Sequence, residues 1–172
     1  ELKRLATIDQ QIHAMNDLVD ALLTLSRIDS GVELSLSPVC LNTLLILPFE
    51  QHRERAQRKS LAFNLVLHPS LPTIEGNADY LTIAIGALLD NALRYTSEGA
   101  ITVRTGLEGD QVTLEVQDTG MGIAPEAQGH IFERFFRLDD AHSERGFGLG
   151  LPIAQRIVEM HNGCIEVASA RD

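Results

Sequence analysis

The sequence predicts an α+β layer sandwich preceded by one long N-terminal helix, with the division falling at residues 1–30 and 31–172. Three observations carry that expectation. A seam of apolar residues at helical spacing opens the chain, strand-like and helix-like segments then follow in mixed order, and two glycine clusters bracket a polar, aromatic-containing loop near the end. With 172 residues, 44% of them hydrophobic, the chain has enough apolar material for one well-buried domain and an appendage.

Taken in order, Leu5, Ile8, Ile12, Met15, Val19 and Leu22 alternate steps of three and four, the seam of a coiled coil or helical bundle. Leu18, Leu23 and Leu25 widen the stripe. Such a face needs cover, from partner helices or from the same chain's core, and partner helices are the preferred reading. The helix is expected to end at Asp29-Ser30-Gly31, where glycine suits a C-terminal cap. Val32 to Cys40 reads as a strand that Pro38 demotes to an edge or a strand end. Leu41 to Lys59 reads as a helix with Asn42 as its cap and Arg53, Glu54, Arg55, Arg58 and Lys59 on a solvated face.

Leu61 to Leu67 is a short strand closed by His68-Pro69-Ser70. Asp79 stands at an N-cap, and Leu81, Ile85, Leu88, Leu89 and Ala92 then face a core. Ala100 to Leu107 and Gln111 to Gln117 are strands joined at Glu108-Gly109-Asp110, a glycine-containing hairpin signal. Leu149 to Met160 is a helix stopped by Asn162-Gly163, and Cys164 to Ala168 begins another strand.

The formal charge of −10, with only 14 lysines and arginines, excludes a nonspecific nucleic-acid binder, which needs a clustered basic surface. Cys40 and Cys164 fit neither a disulfide framework nor a paired-thiolate zinc site. They are expected as buried small apolar residues in a reducing compartment. No apolar run approaches the roughly 18 residues of a membrane span, and no signal-peptide profile opens the chain. The chain starts within a helical pattern and stops just after a strand-like one, which predicts a cytoplasmic piece of something longer, making no membrane contact itself.

Chemistry concentrates in three places. Gly146-Phe147-Gly148-Leu149-Gly150 opens a helix whose first N–H groups and positive end suit a phosphate chain; alone, the pattern also fits a flexible loop. No βαβ unit opens there and no Gly-Lys-Ser/Thr follows, so neither the Rossmann nor the Walker pattern applies. Asp118-Thr119-Gly120-Met121-Gly122 places a carboxylate at a strand end, able to accept a hydrogen bond from an exocyclic amine, or to cap a turn. Asn91, Arg94 and Tyr95 share one helix face, combining a Mg²⁺-ligating amide oxygen with a cation for phosphate.

Together these segments resemble sensor histidine kinases. Leu88 to Thr96 is similar to their N box, Asp118 to Gly122 to their G1 box, Ile131 to Arg137 to their F box and Gly146 to Gly150 to their G2 box. Leu22 to Arg27 resembles the end of their second dimerisation helix. The resemblance implies a Bergerat-type ATP-binding domain, a two-layer sandwich with a mixed sheet on one side and helices on the other. It implies ATP and Mg²⁺ as cofactors, with Asp118 on the adenine amine, and Gly120, Gly122 and Ile123 at the purine pocket. It further implies Asn91 on Mg²⁺, Arg94 and Tyr95 flanking ribose and phosphates, and Phe132, Phe135 and Phe136 anchoring a lid. Arg134 and Arg137 would meet phosphate, and Gly146, Gly148, Leu149 and Gly150 would wrap it.

The implied partners are a response-regulator receiver domain and a second copy through the N-terminal helical hairpin, in a parent anchored in the bacterial inner membrane. Three departures stand out. Ala87 takes the first N-box position, where the family commonly has Asn and the gyrase-like and chaperone ATPases have a Glu base. The final glycine-led strand is missing. None of His13, His52, His68, His130, His142 or His161 sits in the family's His-Glu or His-Asp acceptor context. The chain is therefore expected to bind ATP without phosphorylating itself, the alternatives being a degenerate ATP-binding scaffold or a gyrase- or chaperone-like ATPase.

Overall fold

The computed structural model describes residues 2–31, 33–137 and 146–169, with side chains from residue 11 onward except those of 13 and 14. Helix α1 (Leu2–Asp29) ends where glycine was expected to stop it: Gly31 adopts φ +70° and its N–H donates to the Ile28 carbonyl. The seam on α1 divides along its length. Ile12, Met15, Val19 and Leu22 stay exposed, whereas Leu25 and Ile28 are buried in the chain's own core.

Strand β1 (Ser37–Val39) is shorter than the alternation from Val32 suggested, and it pairs antiparallel with β3 (Ile74–Gly76). Between them lie α2 (Leu41–Arg58) and β2 (Ala62–Val66). Pro48 sits inside α2, buried against the core. Asn42 does not cap α2, because its side chain turns inward: Nδ2 donates to the His68 carbonyl at 2.9 Å, and Oδ1 accepts from Thr105 Oγ1 at 2.8 Å. Cys40 takes the cap position without a side-chain cap bond.

Helix α3 (Ala78–Tyr95) has its cap two residues before the expected one. Asn77 is the cap, its Oδ1 accepting from the Tyr80 N–H at 3.1 Å, and Asp79 lies in the first turn, where a negative charge suits the helix dipole. Strands β4 (Ala100–Glu108) and β5 (Gln111–Asp118) form the anticipated hairpin, with Gly109 at φ +61° in its turn. The sheet order is β2-β4-β5, parallel then antiparallel, so it is mixed.

One face of that sheet meets the helices. Val103 packs with Leu41, Leu45 and Phe49 of α2 and Ile85 and Leu89 of α3, while Ile101 packs with Ala56, Ala92 and Leu93. Phe63 stacks on Phe49, ring centroids 4.5 Å apart. The other face is polar, with Arg104 bonded to Glu115 and Gln117 across the hairpin. The result is the two-layer arrangement that the sequence predicted.

Two short elements differ from expectation. Pro125–Gln128 forms a single helical turn, α4, with proline at its start. Cys164 to Ala168 forms no strand: its backbone finds no ladder among the described residues, and Ser169 instead ties its end to Ile123 and Gln128. Helix α5 (Gly150–Met160) lies on α3, where Leu149, Ile153, Ala154 and Ile157 join Ala84 and the α1 residues Leu25 and Ile28. Neither cysteine is fully buried. Both are free, Cys40 half-buried at a helix start and Cys164 exposed on the unpaired segment.

Candidate functional site

The last two turns of α3 are the platform. Their apolar residues Leu89, Ala92 and Leu93 go into the sheet-side core, which turns Asn91, Arg94 and Tyr95 away from the sheet. All three are half-buried, and among the described residues the side chains of Asn91 and Arg94 make no hydrogen bond. The helix ends at Thr96, whose N–H closes on the Ala92 carbonyl. Its hydroxyl is fully buried and has no hydrogen-bond partner among the described residues.

Asp118 ends β5 opposite Ile101. Its Oδ1 accepts the Gly120 N–H at 2.8 Å, and the residue is exposed. Gly120 has to be glycine: a Cβ there would collide with the Tyr95 carbonyl oxygen and lie 2.7 Å from Asp118 Oδ1. The Met121 N–H donates to the same Tyr95 carbonyl at 3.4 Å. Gly122 turns the chain at φ +67°, and Ile123 is half-buried, its N–H held by Ser169 Oγ and its carbonyl by Gln128 Nε2. The loop after β5 is thereby fastened to the end of α3.

The second glycine segment also meets α3. The Arg94 guanidinium lies directly against Gly146, and a Cβ at Gly150 would sit 3.7 Å from the Ala87 methyl. Gly148, at φ +66°, gives its carbonyl to the Phe135 N–H at 2.9 Å. Phe135 itself is held at φ +67°, an uncommon conformation for a side-chain-bearing residue, and it is 60% exposed. Leu149 is buried and occupies the cap position of α5 without a side-chain cap bond. The first N–H groups of α5 therefore stay open to an anion, and Pro152 has none to satisfy.

Not every expected residue converges. Arg134 turns to α1, its Nη2 donating to Asp29 Oδ2 at 2.7 Å, and Phe136 packs its ring against His130. Arg137 is exposed at the edge of the undescribed residues 138–145, which include His142.

The platform also has a seat that sequence reasoning missed. Asp90, one residue before Asn91, accepts from Arg55 Nη1 of α2. His52 Nε2 lies 3.3 Å from the same oxygen, close enough for attraction but misaligned for a hydrogen bond. Burial pushes the Asp90 carboxyl up, yet His52 and Arg55 outweigh it and hold it below the usual carboxylate range. Lys59 Nζ donates to the Leu93 carbonyl at 2.8 Å. Arg55 and Lys59 thus dock α2 on α3, while Arg53 and Arg58 pair with Glu50 and Glu54 along the helix surface, as a solvated face would. The available signal was a carboxylate beside Asn91 and a cationic half-helix upstream.

Among the described residues, no group of three or more His, Cys, Asp or Glu side chains is placed to hold a metal, and no helix is long and apolar enough to cross a membrane. A Mg²⁺ ion held chiefly by phosphates and water needs only one or two protein oxygens, and the uncommitted Asn91 amide fits that demand.

Known proteins match this arrangement. A family model described as histidine kinase-, DNA gyrase B-, and HSP90-like ATPase covers residues 76–172. The sensor protein kinase PmrB of Pseudomonas aeruginosa is 35% identical over 163 residues, 94% of this chain and 34% of that protein. The sensor histidine kinase RppB of Synechocystis sp. is 36% identical over 174 residues, 96% of this chain and 37% of that one. Full-length ShkA, crystallised with AMPPNP, superposes with a TM-score of 0.74 at 32% identity, over 84% of this chain and 30% of that chain. The chain spans about a third of the length of these relatives. With an α3 platform flanked by two glycine segments and a family match over more than half its length, the chain belongs to the histidine kinase-, DNA gyrase B- and HSP90-like ATPases, as a catalytic domain of the sensor histidine kinase type.

Proposed function

We propose that the chain binds Mg·ATP on the α3 platform, and that the whole protein transfers the γ-phosphoryl group to a histidine for relay to a response-regulator aspartate. One observation carries the reading: Tyr95 meets Gly120 while Arg94 meets Gly146 and Ala87 meets Gly150, so both glycine segments close on one helix face. Asp118 accepts the adenine amine, with Gly120, Gly122 and Ile123 admitting the ring. Arg94 and the open N–H groups of Gly150 and Leu151 meet phosphate charge, with Tyr95 alongside. Arg134, Arg137, Phe135, Gly148 and Leu149 form the lid side. Asn91 would hold Mg²⁺, which would supply neutralisation of phosphate charge. Phosphoryl transfer rests mainly on such positioning and neutralisation.

The histidines support an acceptor elsewhere. His161 Nδ1 lies 2.7 Å from the Ile157 carbonyl and Nε2 accepts the Asn77 N–H, His52 is buried against Pro48 and Asp90, His68 accepts from Ser70, and His130 pairs with Glu133. His13 and His142 lie outside the described side chains. The exposed apolar face at Ile12, Met15, Val19 and Leu22 supports a hairpin dimer in the whole protein, with residues 1–30 as its helix and 31–172 as the catalytic domain. A membrane anchor for the parent follows the same reading.

The test is ligand-dependent melting. Saturation at about 100 times Kd stabilises a native state by about 2.7 kcal/mol, which raises Tm by roughly 5–10 °C in a chain of this size. Absence of a shift with millimolar Mg·ATP leaves the scaffold reading. Acid-labile label from γ-labelled ATP on the chain itself would contradict the external acceptor.

A further inference from the structure

The three glycines of the 146–150 segment empty three different spaces. At Gly148 a Cβ would press on backbone, 2.5 Å from the Phe136 carbonyl oxygen and 2.7 Å from the Phe135 carbonyl carbon. At Gly150 it would make an ordinary contact with the Ala87 methyl. At Gly146 the three nearest atoms are Nη1, Cζ and Nη2 of Arg94, and all of them stand where the added carbon would go. We infer that Gly146 is the seat of the Arg94 guanidinium and acts as a positioning residue for phosphate binding, through Arg94 rather than through its own backbone.

The chemistry favours this division of work. An arginine side chain has several torsions to immobilise, and a planar guanidinium is most useful to phosphate when its fork is already oriented. Arg94 has no hydrogen bond or ion pair among the described residues, so no polar partner orients it there. Its half-buried position depends on packing, and the bare backbone at Gly146 forms one wall of the slot. The slot lies on the segment that leads, four residues later, into the uncapped start of α5. Pre-ordering removes part of the immobilisation cost from the binding step.

The inference rests on the proposal that ATP phosphates lie at this end of α3. Gly146→Ala moves only the far end of a flexible side chain, so the variant should fold with an unchanged Tm. It should bind Mg·ATP and Mg·ADP about 3- to 10-fold more weakly, the range set by one immobilised long side chain, with adenosine binding unaltered. Arg94→Ala should weaken both nucleotides further, and Gly146→Ala added to Arg94→Ala should change nothing more. Titration calorimetry on the four proteins measures this. Additive losses, or Gly146→Ala binding as tightly as the parent chain, would overturn the seat. A parent chain that bound no Mg·ATP at all would overturn the underlying site instead.

Discussion

The loop at Asp118–Gly122 and the segment at Gly146–Gly150 face the same helix, but their supports differ in kind. The first continues a strand: Asp118 is in register with Ile101, the Thr119 N–H donates to the Ala100 carbonyl, and Thr119 Oγ accepts the Ala100 N–H. It is then fastened to the Tyr95 carbonyl through Met121, at a spacing only glycine at 120 permits. The second is held, among the described residues, by the backbone bonds from Phe135 to Gly148 and from Ile153 to Leu149, the buried side chain of Leu149 and the packing of Arg94. The first is set by strand pairing, whereas the segment leading into α5 leans on a left-handed turn at Phe135. That difference suits the proposed placement of the base on the first support and of the phosphates on the second.

The largest effect should come from the first support. Asp118→Ala removes the carboxylate proposed to accept the adenine amine, and hydrogen bonds to charged groups are worth about 1.5–3 kcal/mol. Affinity for adenosine, ADP and ATP should fall together by about 10- to 100-fold in calorimetry. The carboxylate is exposed, so the melting temperature should hardly move. A loss confined to ATP would break the assignment of the base to this loop.

Gly148→Ala probes the other side. Its φ of +66° lies in the left-handed region, and the added carbon would press on the Phe135–Phe136 backbone, which cannot swing away as a side chain can. A penalty of roughly 1–2 kcal/mol in that region corresponds to about 5- to 30-fold in an equilibrium constant. ATP and ADP should weaken by that factor while adenosine does not. An equal loss for adenosine would mean that the two supports act as one.

Features built within a few residues were readable from sequence, and those built across the fold were not. The hairpin at Gly109 and the helix stop at Gly31 rest on local conformations that glycine favours. Asn91, Arg94 and Tyr95 share a face by helical geometry alone. Asn77 displaced Asp79 as the cap of α3 because the start of that helix is set by β3, a three-residue strand too short to show a pattern, paired with distant β1. The strand expected at Cys164 to Ala168 had the right residues and lacked a ladder. Arg134 found Asp29 across 105 positions, and Arg55 found Asp90 across 35, so local charge patterning named neither pair. The stripe on α1 was legible as apolar, but its division between exposed Met15 and buried Ile28 depends on where α5 and α3 lie.

The smallest effect concerns the platform both segments share. Asp90 is more acidic folded than unfolded, since His52 and Arg55 outweigh its burial, so the native state binds fewer protons there than an unfolded aspartate with a pKa of about 3.9. Its contribution is therefore complete at neutral pH and fades as pH falls below the unfolded value and through the lower folded one. The side chain is 46% exposed, which limits the contribution to about 1 kcal/mol or less, or roughly 2–4 °C in Tm. Asp90→Asn should melt lower than the parent by up to that amount at pH 7, with the gap narrowing as the pH is taken from about 5 to 3. Because α3 carries both supports, adenosine and ATP should weaken by the same small factor in Asp90→Asn. A gap that widened on acidification, or a loss seen for ATP alone, would show that Asp90 does not seat the common platform.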